Sequence, residues 1–351
     1  MAYTTIDNPG LYFNTVLYTG NASDDRSISG VGFQPDLLWL KRRNGVGSQR
    51  LVDVIRGATK TLVANGDGGE NTEADVIQAF ESDGFQIGAD SASNADAGTM
   101  ASWNWKAGGS ASSNTDGDIT SSVSANTTSG FSILSYTGNA TAEDSIGHGL
   151  GVAPEMIIIK KYTDTDDWMV YHKNLTAGSE IKLNSTAAQA DDVNNATWGD
   201  NHPTNVGSST FEVGAAGDSN SDGDSHIAYC FASIQGFSKF GSYTGNANAD
   251  GTFVYTGFRP AFLMVKKSSD TGNWVLSDNK RVGYNQVGHT LYANTTGAEL
   301  AGDGVYFDLL SNGFKIRDSS GANNTSGGTY VYVAFAEAPF VNSNGVPCNA
   351  R

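Results

Sequence analysis

Tyr18-Thr19-Gly20-Asn21 recurs as Tyr136-Thr137-Gly138-Asn139 and again as Tyr243-Thr244-Gly245-Asn246, at spacings of 118 and 107 residues. The landmarks behind each copy keep step. A Gly-x-x-Pro follows each time, at Gly32–Pro35, Gly151–Pro154 and Gly257–Pro260. An apolar run closed by two cations comes next: Leu37 to Arg42, Met156 to Lys161 and Phe262 to Lys267. Phe85, Phe211 and Phe314 then precede a last aromatic segment ending at Trp105, Phe231 and Phe335, at intervals of 20, 20 and 21 residues. An ordered series of this kind marks internal repetition, and each copy must be one structural unit of roughly 100–115 residues.

The units read as β. Short segments rich in Val, Ile, Tyr, Phe and Trp alternate with Gly/Asn/Asp/Ser clusters suited to tight turns. Phe85-Gln86-Ile87, Phe211-Glu212-Val213 and Phe314-Lys315-Ile316 alternate as a strand with one wet face should. Leu37 to Leu40 and Ile157-Ile158-Ile159 are continuous apolar runs, which suit strands buried on both faces. The expected fold is therefore all-β, with three tandem homologous β-sandwich or jelly-roll-like units. The expected divisions are 1–106, 131–232 and 233–336, with residues 107–130 a Gly/Ser/Thr-rich linker and 337–351 a C-terminal tail. The linker composition predicts a flexible or extended connection. One short helix is expected over Asn71 to Phe80, where Ala74, Ile77 and Phe80 share a face. Trp168 and Trp274 stand eight residues after Lys160 and Lys266; the first copy has no Trp in that place.

Charge restricts the partners. The chain carries 37 acidic against 21 basic side chains, a net charge of −16, which disfavours nucleic acid and anionic membrane. No apolar run is long enough to span a membrane, and Met1 to Asp7 show no secretory leader pattern. Two cysteines, Cys230 and Cys348, cannot form a disulfide scaffold or a four-ligand zinc site.

No nucleophile elbow, zinc-protease helix, phosphate loop or dinucleotide fingerprint is present, so a non-enzymatic chain is expected. Three local candidates remain. Trp198, Asp200, Asn201 and His202 form a loop peculiar to the second copy, in which an indole and neighbouring amides suit glycan binding. Lys41, Arg42 and Arg43 stand out against the acidic background as an anion site or a contact with an acidic subunit; the Lys-Lys pairs at 160–161 and 266–267 point instead to a repeated structural role. Asp218, Asn220, Asp222 and Asp224 match the first half of an oxygen-ligand calcium loop, although the twelfth position is Tyr229 rather than Glu. A hairpin turn before the last strand is the competing reading. Apart from calcium, no cofactor is expected.

The segments Asn14 to Asn21, Gly30 to Asp36, Arg56 to Lys60, Ser82 to Phe85, and the ending Ala334 to Glu337 with Pro339 to Ser343 resemble a family of repeated β-rich virion proteins. These are tail-fibre-like structural proteins of tailed bacteriophages, notably of marine bacteria and cyanobacteria. The resemblance covers essentially the whole chain and implies a virion structural protein without catalytic residues. Its implied partners are other virion proteins, further copies of the chain (trimers by analogy with phage appendages) and host-surface glycan. A tail-associated fibre or adhesin is the first expectation, and a capsid decoration protein clamping major-capsid subunits the second.

Overall fold

The computed structural model describes residues 2–200 and 204–348, and they are nearly all β. Three large antiparallel sheets share one strand order. The first runs Phe13–Thr19, Thr99–Trp105, Leu37–Arg42, Arg50–Asp53, Lys60–Val63, Asn71–Thr72. In the second, Phe131–Thr137, Ser225–Phe231 and Met156–Lys161 are the counterparts of the first three, with two further strands on the edge beyond them; in the third, Ser238–Thr244, Thr329–Pro339 and Phe258–Lys267 are. A small sheet of two or three strands covers the outer face of each, among them Gly84–Ile87, Thr210–Val213 and Gly313–Ile316.

The apolar runs show why these layers form. Side chains alternate across a strand, so a continuous run must bury two faces. Leu38 and Leu40 pack outward under the first small sheet, as do Ile157 and Ile159 under the second and Leu263 and Val265 under the third. Leu37, Trp39, Met156, Ile158, Phe262 and Met264 point the other way, into a single core common to all three sheets. Trp105, Phe231 and Phe335 meet pairwise at its centre, with ring centroids 5.7, 6.1 and 6.4 Å apart. The units are therefore not independent sandwiches. Each contributes one face to a shared interior.

Three seams join the sheets, and the same contacts recur around them. The first of the two cations closing each apolar run reaches a backbone carbonyl of another unit: Lys160 Nζ donates to Asp67 O (2.9 Å), Lys41 to Thr296 O (2.9 Å) and Lys266 to Thr186 O (3.0 Å). Burial pulls each ammonium down to about 8, which leaves it charged at neutral pH. The indoles of Trp168 and Trp274 donate to Val63 O (3.0 Å) and Lys182 O (2.9 Å). In the first copy Gln49 holds this place and donates to Tyr292 O, and Trp39 on the adjacent strand donates to Gln49 Oε1 (2.6 Å). Gln49 lies eight residues after Lys41, so the spacing is kept although the residue type is not.

Two seams also enclose ion pairs. Arg56 pairs with Asp53 at 2.7 Å, and Tyr229 Oη donates to the same carboxylate at 2.9 Å. Arg281 pairs with Asp278 at 2.6 Å, and Trp103 Nε1 donates to it at 3.1 Å. Glu70 and Glu299 hold the far side of the two guanidinium groups. At the third seam the whole set changes together. His172, Leu175 and Gln189 occupy the Asp, Arg and Glu places, and Val333 replaces the Tyr or Trp donor. His172 accepts Asn174 N–H at Nδ1 and donates from Nε2 to Tyr332 O, both at 3.2 Å. A neutral imidazole needs no counter-ion, and the buried charges that would need one are absent from that position.

Two expectations are corrected. Residues 107–130 are not a loose linker: Ser112–Asn114 and Ser121–Asn126 extend the second sheet beside Phe131–Thr137. Val123 and Ile119 are buried beneath them, and Ser121 Oγ donates to Gly147 O at 2.8 Å. Their Ser/Asn-rich composition reflects one solvated face rather than disorder. Limited proteolysis of the folded chain should accordingly leave 107–130 intact after exposed turns elsewhere are cut; preferential cleavage there would contradict the docking. The stretch Asn71 to Phe80 forms no helix. Asn71–Thr72 is an edge strand, Val76 and Ile77 are buried in a turn, and Ala79–Glu81 joins the small sheet.

Candidate functional site

The repeated Tyr-Thr-Gly-Asn motif proves to be a lock on the fold. Tyr18, Tyr136 and Tyr243 donate their hydroxyls to Ser93 O, Ser219 O and Asn323 O. A buried Asn follows each acceptor. The amide of Asn220 donates to Thr141 O (2.8 Å) and Gly214 O (2.9 Å), while its oxygen accepts Asn139 N–H (2.9 Å). Asn94 and Asn324 do the same in the other copies. A Cβ on Gly138 would lie 2.3 Å from Ser221 O, so the close approach requires glycine.

This disposes of the calcium-like arrangement. Asn220 is fully engaged in the lock, Asp224 accepts from Ser221 Oγ (2.6 Å) and Thr163 Oγ1 (2.9 Å), and Asp222 faces solvent. Burial, with Asp166 and Glu180 nearby, pushes the Asp218 carboxyl up to about 7. The four side chains do not converge, and among the described residues no group of His, Cys, Asp and Glu is arranged to hold a metal.

In the proposed glycan loop the indole is turned away from solvent. Trp198 is 1% exposed and packs in the second outer core, its ring 5.9 Å from Tyr171, so neither indole face is open to a sugar. Its apolar area is worth more in that core than in a polar loop. Asp200 is exposed and accepts from the Asn195 amide; Asn201 and His202 lie outside the described residues. The basic cluster divides. Lys41 is buried in a seam, Arg43 pairs with Glu299 of the third unit at 2.8 Å, and Arg42 donates to Asn44 at 3.3 Å. Lys41 and Arg43 thus make a contact between units of one chain. Cys230 is a buried free thiol and Cys348 a partly exposed one.

A groove with exposed aromatic rings lies elsewhere, at the junction of the N-terminal segment, the 232–237 crossing and strand Phe253–Tyr255. Along that strand Val254 is buried in the third outer core, while Phe253 and Tyr255 are 45% and 56% exposed. Alternation places both rings on the outward face. Tyr3 Oη donates to Gly257 O at 2.9 Å and lies 3.2 Å from Tyr255 Oη. Burial, then the Tyr255 hydrogen bond, raises the Tyr3 phenol to about 12, so it stays protonated. A groove of about 340 Å³ opens beside Tyr3 and Tyr255, lined also by Ser233, Gln235, Lys239 and Thr256. Gly257 sits at φ +85°, and a Cβ there would meet Tyr3 Oη at 2.7 Å. The sequence held one signal for this place, two aromatic residues flanking a buried Val, and it was masked by the general abundance of aromatic strands.

A family profile described as a domain of unknown function, DUF7483, matches residues 8–339. The chain belongs to this family. Neither a curated protein nor a solved structure matches it. The match embraces all three large sheets, so the family unit is the assembled body and not a single repeat. No helix among the described residues is long and apolar enough to cross a membrane.

Proposed function

We propose that this chain is a non-enzymatic structural protein of the bacteriophage particle surface, a tail-associated adhesin that contacts host-surface glycan. The observation that carries the contact is the open groove at Tyr3, Lys239 and Tyr255, where exposed rings adjoin hydroxyl and amide groups. Rings of this kind stack on the apolar face of a pyranose while polar neighbours reach its hydroxyls. The placement on a virion is supported by the sequence resemblance over the whole chain. The internal architecture is in keeping with a display role, because the buried lysines, ion pairs and indoles all hold sheets together. A second reading, capsid decoration, is favoured by the absence of a shaft among the described residues and by the three sheets sharing one core.

Gold-labelled antibody against the chain, imaged on intact particles by electron microscopy, separates these readings. Label on the tail is the expected result. Label over the head would select decoration, and purified particles free of label would overturn the virion assignment.

A further inference from the structure

We infer that the Phe253–Tyr255 face and its groove bind an acidic saccharide, one bearing carboxylate groups. The inference rests on the adhesin reading and assigns its ligand class. Its strongest support is a comparison inside the chain. The small-sheet strands pair in the same way in each copy: Ile28 opposite Phe85, Ile146 opposite Phe211 and Val254 opposite Phe314. The flanking positions are therefore equivalent. They hold Ser27 and Ser29 in the first copy, Ser145 and Gly147 in the second, and Phe253 and Tyr255 in the third. The fold is built twice without aromatic residues there. Two large rings facing solvent at those positions are not needed for packing, and they expose apolar area that water disfavours.

Charge narrows the ligand. The chain is strongly acidic, yet the groove is lined by Tyr3, Lys239, Tyr255 and neutral polar residues, with no carboxylate among them. One ammonium in a groove that also carries two phenols complements an anionic sugar, and the −16 charge of the whole protein makes an acidic ligand unfavourable anywhere without such a local cation. The hydroxyls of Thr256 and Tyr3 are already donated to backbone carbonyls, and Ser233 donates to Glu155, whose charge is met by Lys173 at 2.7 Å, so Gln235, Lys239 and the exposed Tyr255 ring are left as the groups that face a ligand.

The test uses the whole chain with oligogalacturonate and a neutral galactose oligomer of matched length, by titration calorimetry. Phe253→Ser and Tyr255→Ser restore residues that the same strand position already carries elsewhere in the fold, and Lys239→Gln removes the cation. The acidic oligomer should bind better than the neutral one, weaken with added salt, and lose about tenfold in affinity with each aromatic replacement. Lys239→Gln should erase the preference between the two. Equal binding of both oligomers, with sensitivity to the aromatic variants, would overturn the acidic assignment while leaving glycan contact in place. Binding untouched by all three variants would place the ligand elsewhere and overturn the site. No binding to either oligomer would overturn the acidic assignment; a wider glycan array then decides the adhesin reading separately. Self-association abolished by Phe253→Ser, seen by sedimentation, would make the face a protein contact and overturn the inference.

Discussion

Asp278→Ala should destabilise the protein by about 3–5 kcal/mol, the usual cost of stripping one partner from a buried ion pair. Asp278 and Arg281 have side chains with no solvent exposure, and the carboxylate also accepts the Trp103 indole and the backbone N–H groups of Lys280 and Arg281. Removing it leaves a buried guanidinium with Glu299, the Leu276 carbonyl and the Trp103 ring face but without its closest counter-charge. The third seam suggests the repair. There the corresponding pair is His172 and Leu175, so Asp278→Ala combined with Arg281→Leu should be more stable than Asp278→Ala alone, despite having one more substitution. Urea denaturation of the three proteins measures this directly. A single variant within 1 kcal/mol of wild type, on the scale of an exposed pair, would show that the seam is not closed as described.

Acid should act on the seam that lacks the ion pair. Burial first, against a weaker opposing effect of its Tyr332 hydrogen bond, pulls the His172 imidazole down to about 4. Its unfolded counterpart titrates near 6.5. Between those values the unfolded chain takes up a proton that the native chain refuses. Stability present above pH 6.5 is therefore lost progressively as pH falls toward 4, by about 3 kcal/mol from this one group. His226, also lowered to about 4 by burial, acts in the same direction, whereas Asp218 with its raised carboxyl acts in the opposite one. His172→Gln isolates the term, since Gln has no proton to gain and keeps an acceptor and a donor. The stability difference between wild type and His172→Gln should be flat above pH 7 and shift in favour of the variant by about 3 kcal/mol on going to pH 4. A difference that does not vary with pH would mean that the imidazole is hydrated in the native state.

The fold was legible in the sequence where packing follows from local pattern. The three Tyr-Thr-Gly-Asn copies, the apolar runs buried on both faces and the aligned Trp105, Phe231 and Phe335 positions all mark real features of the sheets. What covers the second face of those runs was not legible. A strand such as Leu37–Arg42 carries the same continuous apolar run whether its inner face meets a second sheet or two other units. The seam chemistry was hidden for a similar reason. Asp53, Arg56 and Tyr229 share no local pattern, and only a contact across 176 positions brings the last to the first. Composition misled in two places, since the Ser-rich stretch 107–130 forms strands and the polar loop around Trp198 buries its indole. The aromatic groove escaped because exposure belongs to the assembled body: Phe253 and Tyr255 differ from core rings in lying on the uncovered face of an outer strand.

Differential scanning calorimetry of the intact chain tests the central claim, that three repeats form one body around one core. A shared interior that joins Leu37, Met156 and Phe262 predicts a single cooperative transition whose calorimetric and van't Hoff enthalpies agree. Asp278→Ala should move that transition as a whole. Three resolved transitions, with Asp278→Ala shifting only the one that belongs to its own repeat, would contradict the account and return the chain to a string of independent modules.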